Sequence, residues 1–137
     1  MRIVVDTNVL ISAAFWTGKP KELLNRVRQR RLTFLTSEVL LDELREVLVR
    51  EDKPFKLSAE EAARVVAAMR DIAEIVQPHS RVTICQDDQD NRVLECAMDG
   101  SAECIISGDL HLLGLKSFQG IQIMTVSDFL SHSGPRS

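Results

Sequence analysis

Short apolar runs, rich in β-branched residues, alternate along this chain with longer segments whose apolar residues recur at helical spacing. The runs predict five strands, over residues 2–6, 32–35, 74–76, 104–107 and 121–124. The longer segments predict seven helices, over residues 9–15, 21–30, 38–49, 59–73, 88–99, 110–115 and 126–130. Strands that alternate with helices are typical of a parallel sheet covered on both faces. We therefore predict an α/β fold, a single three-layer α/β/α domain with a central, mostly parallel sheet of about five strands.

The length of 137 residues fits one domain, which we place at residues 1–130, followed by a tail over 131–137 that is predicted to be disordered. The chain shows no internal repeat. Ser58 followed by two glutamates predicts the start of the fourth helix, and Pro54 separates that helix from the third.

Composition narrows the possible functions. A hydrophobic fraction of 45% and a charged fraction of 27% are ordinary for a soluble globular protein. The net charge of −3 does not indicate a general binder of polyanions, so any contact with nucleic acid needs a local basic patch. No signal peptide and no membrane span are predicted. Cys85, Cys96 and Cys104 lack C-x-x-C spacing and are interpreted as buried thiols in a reducing cytoplasm, which disfavours zinc.

Four acidic residues stand where the apolar pattern predicts burial. Asp6 and Asp109 end apolar runs, and the carboxyl ends of parallel strands are where such sheets bind ligands. On the third helix Glu43 projects at the edge of the apolar stripe, and on the fifth Asp90 projects with the apolar residues. A carboxylate beside a core is costly unless its charge is compensated. We therefore expect the four acids to gather around a cation.

Each acid also has a simpler explanation. Asp6 and Asp109 could cap the helices that follow them, because Asp is a favoured cap residue. Glu43 could be an edge residue that reaches solvent, and Asp90 could interact with the helix dipole from the first turn. The convergence of all four on one end of one sheet is harder to explain by these separate roles.

Oxygen ligands without histidine or cysteine suit hard cations, so Mg²⁺ or Mn²⁺ is the expected ion. Such a site hydrolyses phosphodiesters by lowering the pKa of a bound water and neutralising phosphate charge, and two ions roughly 3.5–4 Å apart can hold both reacting oxygens. The six glycines never form a phosphate-binding or dinucleotide-binding loop, so nucleotide-cofactor chemistry is disfavoured.

A basic stretch is the candidate contact for such a substrate. It comprises Lys19, Lys21, Arg26, Arg28, Arg30 and Arg31. These side chains could hold a phosphate backbone, or they could be a solvated helix face. Phe15 and Trp16 could stack on a base, although such residues more often pack. His79, His111 and His132 are interpreted as surface residues.

The ordered acidic segments resemble a known family. The segments are IVVDTNVL at 3–10, SEVLLDEL at 37–44, DDQDN at 87–91 and IISGD at 105–109. In this order they resemble PIN domains over residues 1–130, and most of all the prokaryotic toxin-like, VapC-like group.

The resemblance implies a metal-dependent ribonuclease that cleaves mainly single-stranded RNA with Mg²⁺ or Mn²⁺. Asp6, Glu43, Asp90 and Asp109 would bind the metal and form the catalytic site, supported through hydrogen bonds by four further residues, namely Thr7, Asn8, Asn91 and Ser107. It also implies a homodimer and a cognate antitoxin protein.

The sequence departs from the family pattern at Asp88, where proline is common. This departure leaves the register between Asp87 and Asp90 open, and we favour Asp90 because its helical phase is inward. Asp128 lies near a position where some relatives carry a further acid, and we interpret it as a cap or surface residue.

Two other functions are alternatives to a ribonuclease. An aspartyl-phosphate phosphohydrolase would need an acid two residues after Asp6, where Asn8 stands, and a lysine near the late acids, where Lys116 is poorly placed. A PIN-like module without catalytic activity could instead bind RNA or protein, although this chain retains every acid.

Overall fold

The computed structural model describes residues 1–15, 18–53 and 55–133. Six strands form one sheet: β1 (Arg2–Val5), β2 (Thr33–Thr36), β3 (Ala73–Ile75), β4 (Cys104–Ile106), β5 (Ser117–Phe118) and β6 (Ile121–Met124). Their order is β3-β2-β1-β4-β6-β5, and all neighbours are parallel except β5 and β6. The predicted α/β architecture with a mostly parallel sheet is confirmed.

The described part of the chain also contains seven helices, each at a predicted place. They are α1 (Thr7–Phe15), α2 (Lys19–Arg28), α3 (Glu38–Leu48), α4 (Ala59–Ile72), α5 (Asp88–Asp99), α6 (Leu110–Leu115) and α7 (Val126–Ser133). The predicted start at Ser58 is a reciprocal cap: Ser58 N donates to Glu61 Oε1 at 3.0 Å, and Glu61 N donates to Ser58 Oγ at 3.1 Å. Pro54 lies outside the described residues.

The strands alternate their side chains between two apolar layers, which produces the three-layer arrangement. On β1, Ile3 and Val5 pack into one core cluster with residues of α1, α2, α3, α4 and α7. Val4, between them, packs into the second cluster with residues of α5 and α6. Both faces of the central strands are therefore buried, as the near-continuous apolar runs predict.

The sheet has six strands, one more than predicted. The additional strand, β5, pairs antiparallel with β6 through a two-residue turn at Gln119 and Gly120. Both turn residues have positive φ, 53° and 81°, which matches the right-handed twist of a tight hairpin. Two residues are too few to show an apolar pattern, so the strand escapes sequence analysis.

The carboxyl-terminal helix is longer than predicted, and the cysteines are free thiols. The predicted disordered tail begins at residue 131, whereas α7 continues to Ser133, and residues 134–137 lie outside the described part. Cys96 and Cys104 are buried free thiols whose pKa burial raises to about 12, and Cys85 is half-buried. No helix in the described ranges is both long and apolar enough to cross a bilayer.

Candidate metal centre

A cavity of about 380 Å³ opens where the parallel strands end, at what we call the carboxyl edge of the sheet. All four predicted acids line it, namely Asp6, Glu43, Asp90 and Asp109, together with two further acids, Glu46 and Asp87. We call this space the acidic cavity. The acids come from four separate stretches of sequence, so folding brings together residues that are distant along the chain.

Asp6 follows β1 and is buried. Its Oδ1 accepts a hydrogen bond from Val9 N at 3.0 Å, so it caps α1, and its Oδ2 accepts one from the Ser107 hydroxyl. Burial raises the pKa of Asp6, hydrogen bonds from Ser107 and from backbone amides oppose the rise, and the negative charge of Asp109 adds to it. Asp6 is thus a helix cap, and the same carboxylate lines the acidic cavity.

Asp109 lies two residues beyond Ser107, at the carboxyl edge beside Asp6. Its Oδ1 accepts hydrogen bonds from His111 N at 2.7 Å and from Leu112 N at 3.4 Å, so it is the N-cap of α6. Its own backbone N donates to Ser107 Oγ at 2.9 Å. Ser107 therefore connects Asp6 and Asp109, which are the first acids after two adjacent strands.

Glu43 reaches the acidic cavity from α3 and is half-buried. Burial raises the pKa of its carboxyl, a hydrogen bond with the Thr7 side chain opposes the rise, and the charges of Asp6 and Asp87 add to it. Its Oε2 is buried and has no hydrogen-bond partner. A carboxylate oxygen in this condition is costly to the fold unless some positive group satisfies it.

Asp90 is more deeply buried than Glu43 and also has a carboxylate oxygen without a hydrogen-bond partner. It is only 6% exposed, and its Oδ2 is buried without a hydrogen-bond partner. Burial and the negative charges of Asp109, Asp87 and Asp6 raise its pKa to about 6, while His111 opposes the rise. The inward helical phase predicted for Asp90 therefore agrees with its position.

Asp87 also lines the acidic cavity, but its side chain is exposed and hydrogen-bonded. It is exposed, and its Oδ1 accepts a hydrogen bond from Gln89 N at 2.9 Å as the N-cap of α5. Asp128 is an exposed residue of α7 and is not among the residues that line the cavity.

The acidic cavity provides suitable donors for a hard cation without closing around one. Its donors are carboxylate oxygens, and two of them, Glu43 Oε2 and Asp90 Oδ2, are buried without partners. Among the described residues, however, no three Asp, Glu, His or Cys side chains are spaced so that they could hold one ion together. The chemistry of the donor set fits Mg²⁺ or Mn²⁺, and the charges of neighbouring acids raise the pKa values of Asp6, Glu43 and Asp90.

The four predicted supporting residues divide into two groups. Thr7 and Ser107 are buried and bond to Glu43 and Asp6, and Asn8 is exposed and lines the acidic cavity. Asn91 does not line it. Its Oδ1 accepts from Cys85 N at 2.8 Å and its Nδ2 donates to Cys85 O at 2.9 Å, so its amide fixes the segment before α5.

The predicted basic stretch lies away from the acidic cavity. Lys19 donates to Ser127 Oγ of α7 at 3.2 Å, and Arg26 pairs with Glu22 at 3.3 Å. Arg28 lines a hollow with Thr33 and Ala73, the first residues of β2 and β3, at the opposite edge of the sheet. None of the four basic residues Lys19, Lys21, Arg26 and Arg28 lines the acidic cavity.

Two cations that the sequence analysis missed do line the acidic cavity: Arg50 and Lys53, just after α3. Arg50 is held by a two-bond ion pair with Asp52, Nε to Oδ1 and Nη2 to Oδ2, both at 3.2 Å. Arg50 follows Glu43 by seven residues, which is the spacing of one helix face, but it lies just beyond the last residue of α3, Leu48. Glu46, three residues after Glu43 on α3, also lines the cavity.

Packing, which was favoured over base stacking for Phe15 and Trp16, is observed for Phe15. Phe15 stacks on Phe55, with ring centroids 5.1 Å apart and planes 3° apart. Trp16 lies outside the described residues.

Comparison with known proteins agrees with this arrangement. The PIN domain family matches residues 2–111. The chain is 28% identical over 126 residues to the uncharacterized protein MJ1680 of Methanocaldococcus jannaschii, covering 85% of this chain and 76% of that protein.

Three solved structures share the fold. VapBC2 from Rickettsia felis, bound to a DNA fragment from its promoter, is 13% identical with a TM-score of 0.63, covering 90% of this chain and 97% of that one. PAE2754 from Pyrobaculum aerophilum is 15% identical with a TM-score of 0.63, covering 96% and 88%. The PIN domain of human SMG5 is 12% identical with a TM-score of 0.54, covering 97% and 99%.

The fold, the order of the acidic segments and the match over residues 2–111 agree, and the predicted family is confirmed. PIN domains are generally nucleases that bind metal. This chain belongs to the PIN domain family.

Proposed function

We propose that this chain is a divalent-metal-dependent endoribonuclease that hydrolyses phosphodiester bonds of single-stranded RNA. The observation that carries the proposal is the convergence of Asp6, Glu43, Asp90 and Asp109 on one cavity, with buried oxygens of Glu43 and Asp90 left without partners. Native proteins rarely leave such atoms unsatisfied unless an ion or a substrate completes them.

In this proposal Asp6 and Asp109 hold the principal ion, and Glu43 and Asp90 complete the negatively charged pocket. When bound, Mg²⁺ or Mn²⁺ supplies a more acidic water and neutralises charge on the phosphate. Ser107 and Thr7 orient the carboxylates of Asp6 and Glu43 through their hydroxyls.

The substrate must approach a cavity lined by six acids, so its phosphates need positive side chains at the rim. Arg50 and Lys53 supply positive charge there. We place the phosphate next to the scissile bond against these two residues, rather than along α2.

The test is cleavage of an unstructured, end-labelled RNA by protein stripped of metal and titrated with Mg²⁺ or Mn²⁺. Wild type should cleave only with metal, and Asp6→Asn should lower the rate by at least about a hundredfold. Asp128→Asn, an acid outside the cavity, is the matched control. Circular dichroism and thermal unfolding check that both variants fold. Metal-dependent cleavage retained in a clean Asp6→Asn preparation would refute the assignment.

One observation favours a second candidate, a PIN domain that binds RNA or protein without cleaving. The described acids are not spaced to hold an ion in groups of three. The same titration separates the two functions, because a binding module would hold the RNA intact at every metal concentration. The phosphohydrolase alternative loses its support, since Lys116 does not line the acidic cavity.

We further propose that this chain acts as a toxin, forms a homodimer and is restrained by an antitoxin protein. The support is its fold, which it shares with the VapBC2 structure. Induced expression should arrest growth with wild type and not with Asp6→Asn, and light scattering should give a dimer mass. A monomer, or equal arrest by both proteins, would contradict this role.

A further inference from the structure

A second hollow adjoins the acidic cavity and shares two of its residues, Asp87 and Asp90. Its volume is about 430 Å³. Ile84, Cys85 and Leu115 give it apolar walls, and Gln86 and His111 place an amide and an imidazole there. We call it the side hollow. Because the two spaces share these residues, a polymer bound across the acidic cavity could extend into this hollow.

The wall that carries Ile84 is held in place from both sides. Val82 N donates to the buried Glu95 at 2.8 Å, and the Cys85 backbone bonds twice to the Asn91 amide. Ile84 lies between these two attachments and is 60% exposed. A large apolar side chain held in water in this way exposes surface that a ligand could bury.

The lining determines what kind of group the side hollow can take. None of the described residues that line it is a lysine or arginine, and two are carboxylates, so it repels phosphate. Apolar walls with a few donors and acceptors suit a neutral, flat, polar-edged group. Unpaired bases are recognised in this way, against apolar and imidazole surfaces with hydrogen bonds at their edges.

We propose that the side hollow is a nucleobase subsite, which binds the base next to the scissile phosphate and gives cleavage its base preference. Ile84 and Leu115 contact the base, and Gln86 and His111 bond to its edge. The inference rests on the proposed ribonuclease function and adds a specificity determinant to it.

The first experiment measures base preference. A pool of single-stranded RNA with random sequence is cleaved with Mn²⁺, and the new ends are sequenced. Wild type should prefer particular bases at one position flanking the cut. Ile84→Ser should reduce the rate ratio between the best and worst base by about tenfold. Leu110→Ser is the matched control, since Leu110 is 82% exposed beside Asp109 but lines neither space.

Two results would overturn the subsite while the nuclease stands: cleavage by wild type with no base preference, or an unchanged preference in Ile84→Ser. Either result would refute a base as the occupant of the side hollow. Gln86→Ala extends the test, because it removes the edge contact from an exposed side chain and leaves the wall intact.

The second experiment does not need cleavage. A short RNA carrying 4-thiouridine is bound in the presence of Ca²⁺, a hard cation that can compensate the carboxylates, then irradiated, and the cross-linked protein is digested with trypsin. The cross-link should fall on the peptide over residues 82–92, and Ile84→Ser should lose most of it. Cross-links confined to peptides of α2, or none at saturating RNA, would overturn the inference. A cross-link at 82–92 without cleavage under any metal would retain the subsite and refute the nuclease.

Discussion

The Ser107 hydroxyl donates a hydrogen bond to the Asp6 carboxylate and so joins the ends of the adjacent strands β4 and β1. The same Ser107 oxygen accepts a hydrogen bond from Asp109 N at 2.9 Å. One buried hydroxyl thus sets the relative positions of two acids of the cavity. It also lowers the pKa of Asp6 against the effect of burial.

Ser107→Ala should therefore destabilise the protein and weaken the site together. The substitution leaves the buried Asp6 Oδ2 and the Asp109 amide without this partner, which should lower the free energy of unfolding by about 1–3 kcal/mol. Urea denaturation measures the loss. Ser127→Ala is the control, because Ser127 is exposed and accepts only from Lys19 among the described residues, and its effect should stay within about 0.5 kcal/mol. Equal losses in both variants would contradict the role of Ser107.

The raised pKa of Asp90 predicts a pH dependence of stability in metal-free protein. Its pKa is about 6 in the folded protein and about 3.9 in the unfolded chain, so the folded state binds the proton more tightly. Stability from this group is complete below about pH 4 and is lost as pH rises through about 6. The loss can reach about 3 kcal/mol.

Asp90→Asn tests that sign directly. In EDTA, the variant should gain stability relative to wild type as pH rises from about 4 to about 7.5, because it carries no charge to bury. Urea denaturation across that range gives the difference between the two proteins. A difference that stays constant with pH would mean that the pKa of Asp90 is the same in the folded and unfolded states, and so is not raised by burial and neighbouring acids.

Local rules of the sequence place the four predicted acids where they line the acidic cavity. Asp6 and Asp109 stand at strand ends, and Glu43 and Asp90 have an inward helical phase, so element type alone places them at the carboxyl edge. The hairpin strand β5 was missed because two residues carry no periodicity, and Gly120 was its only signal.

What the sequence could not predict depends on loops that pack across elements. Asn91 has the inward position of a site residue, yet both its side-chain polar atoms bond to the Cys85 backbone. Glu95 of α5 is buried, and its Oε2 accepts a hydrogen bond from Val82 N. Such contacts follow from where the segment between β3 and α5 folds back, which no local pattern encodes.

The space around Gly100 predicts a destabilising substitution away from the site. A Cβ added there would lie 2.8 Å from both Cys96 O and Val76 Cγ2, and 3.1 Å from Leu35 Cδ1. Gly100→Ala should therefore cost about 1–3 kcal/mol through overpacking. Gly114→Ala is the control, because it lies in α6 with nothing within 4 Å, and it should stabilise by about 0.5–1 kcal/mol. Thermal unfolding of both variants checks the opposite signs.

The positions of the cations predict where RNA is held. Arg50 and Lys53 line the acidic cavity, whereas Arg28 lies at the opposite edge of the sheet. Arg50→Gln and Lys53→Gln should each weaken RNA binding and raise KM several-fold with a smaller effect on kcat, because they hold phosphate rather than act on the scissile bond. Each loss should also reduce the slope of log affinity against log salt by about 0.7.

Arg45→Gln and Arg28→Gln separate this interpretation from a general effect of charge. Arg45 lies on the same helix as Glu43, pairs with Asp42 at 3.5 Å and does not line the cavity, so its loss should leave the salt slope unchanged. If Arg28→Gln lowers the slope and Arg50→Gln does not, the substrate follows α2 as the basic stretch of the sequence first indicated. The salt slope decides between the two because it counts phosphates contacted and is insensitive to the chemistry that follows.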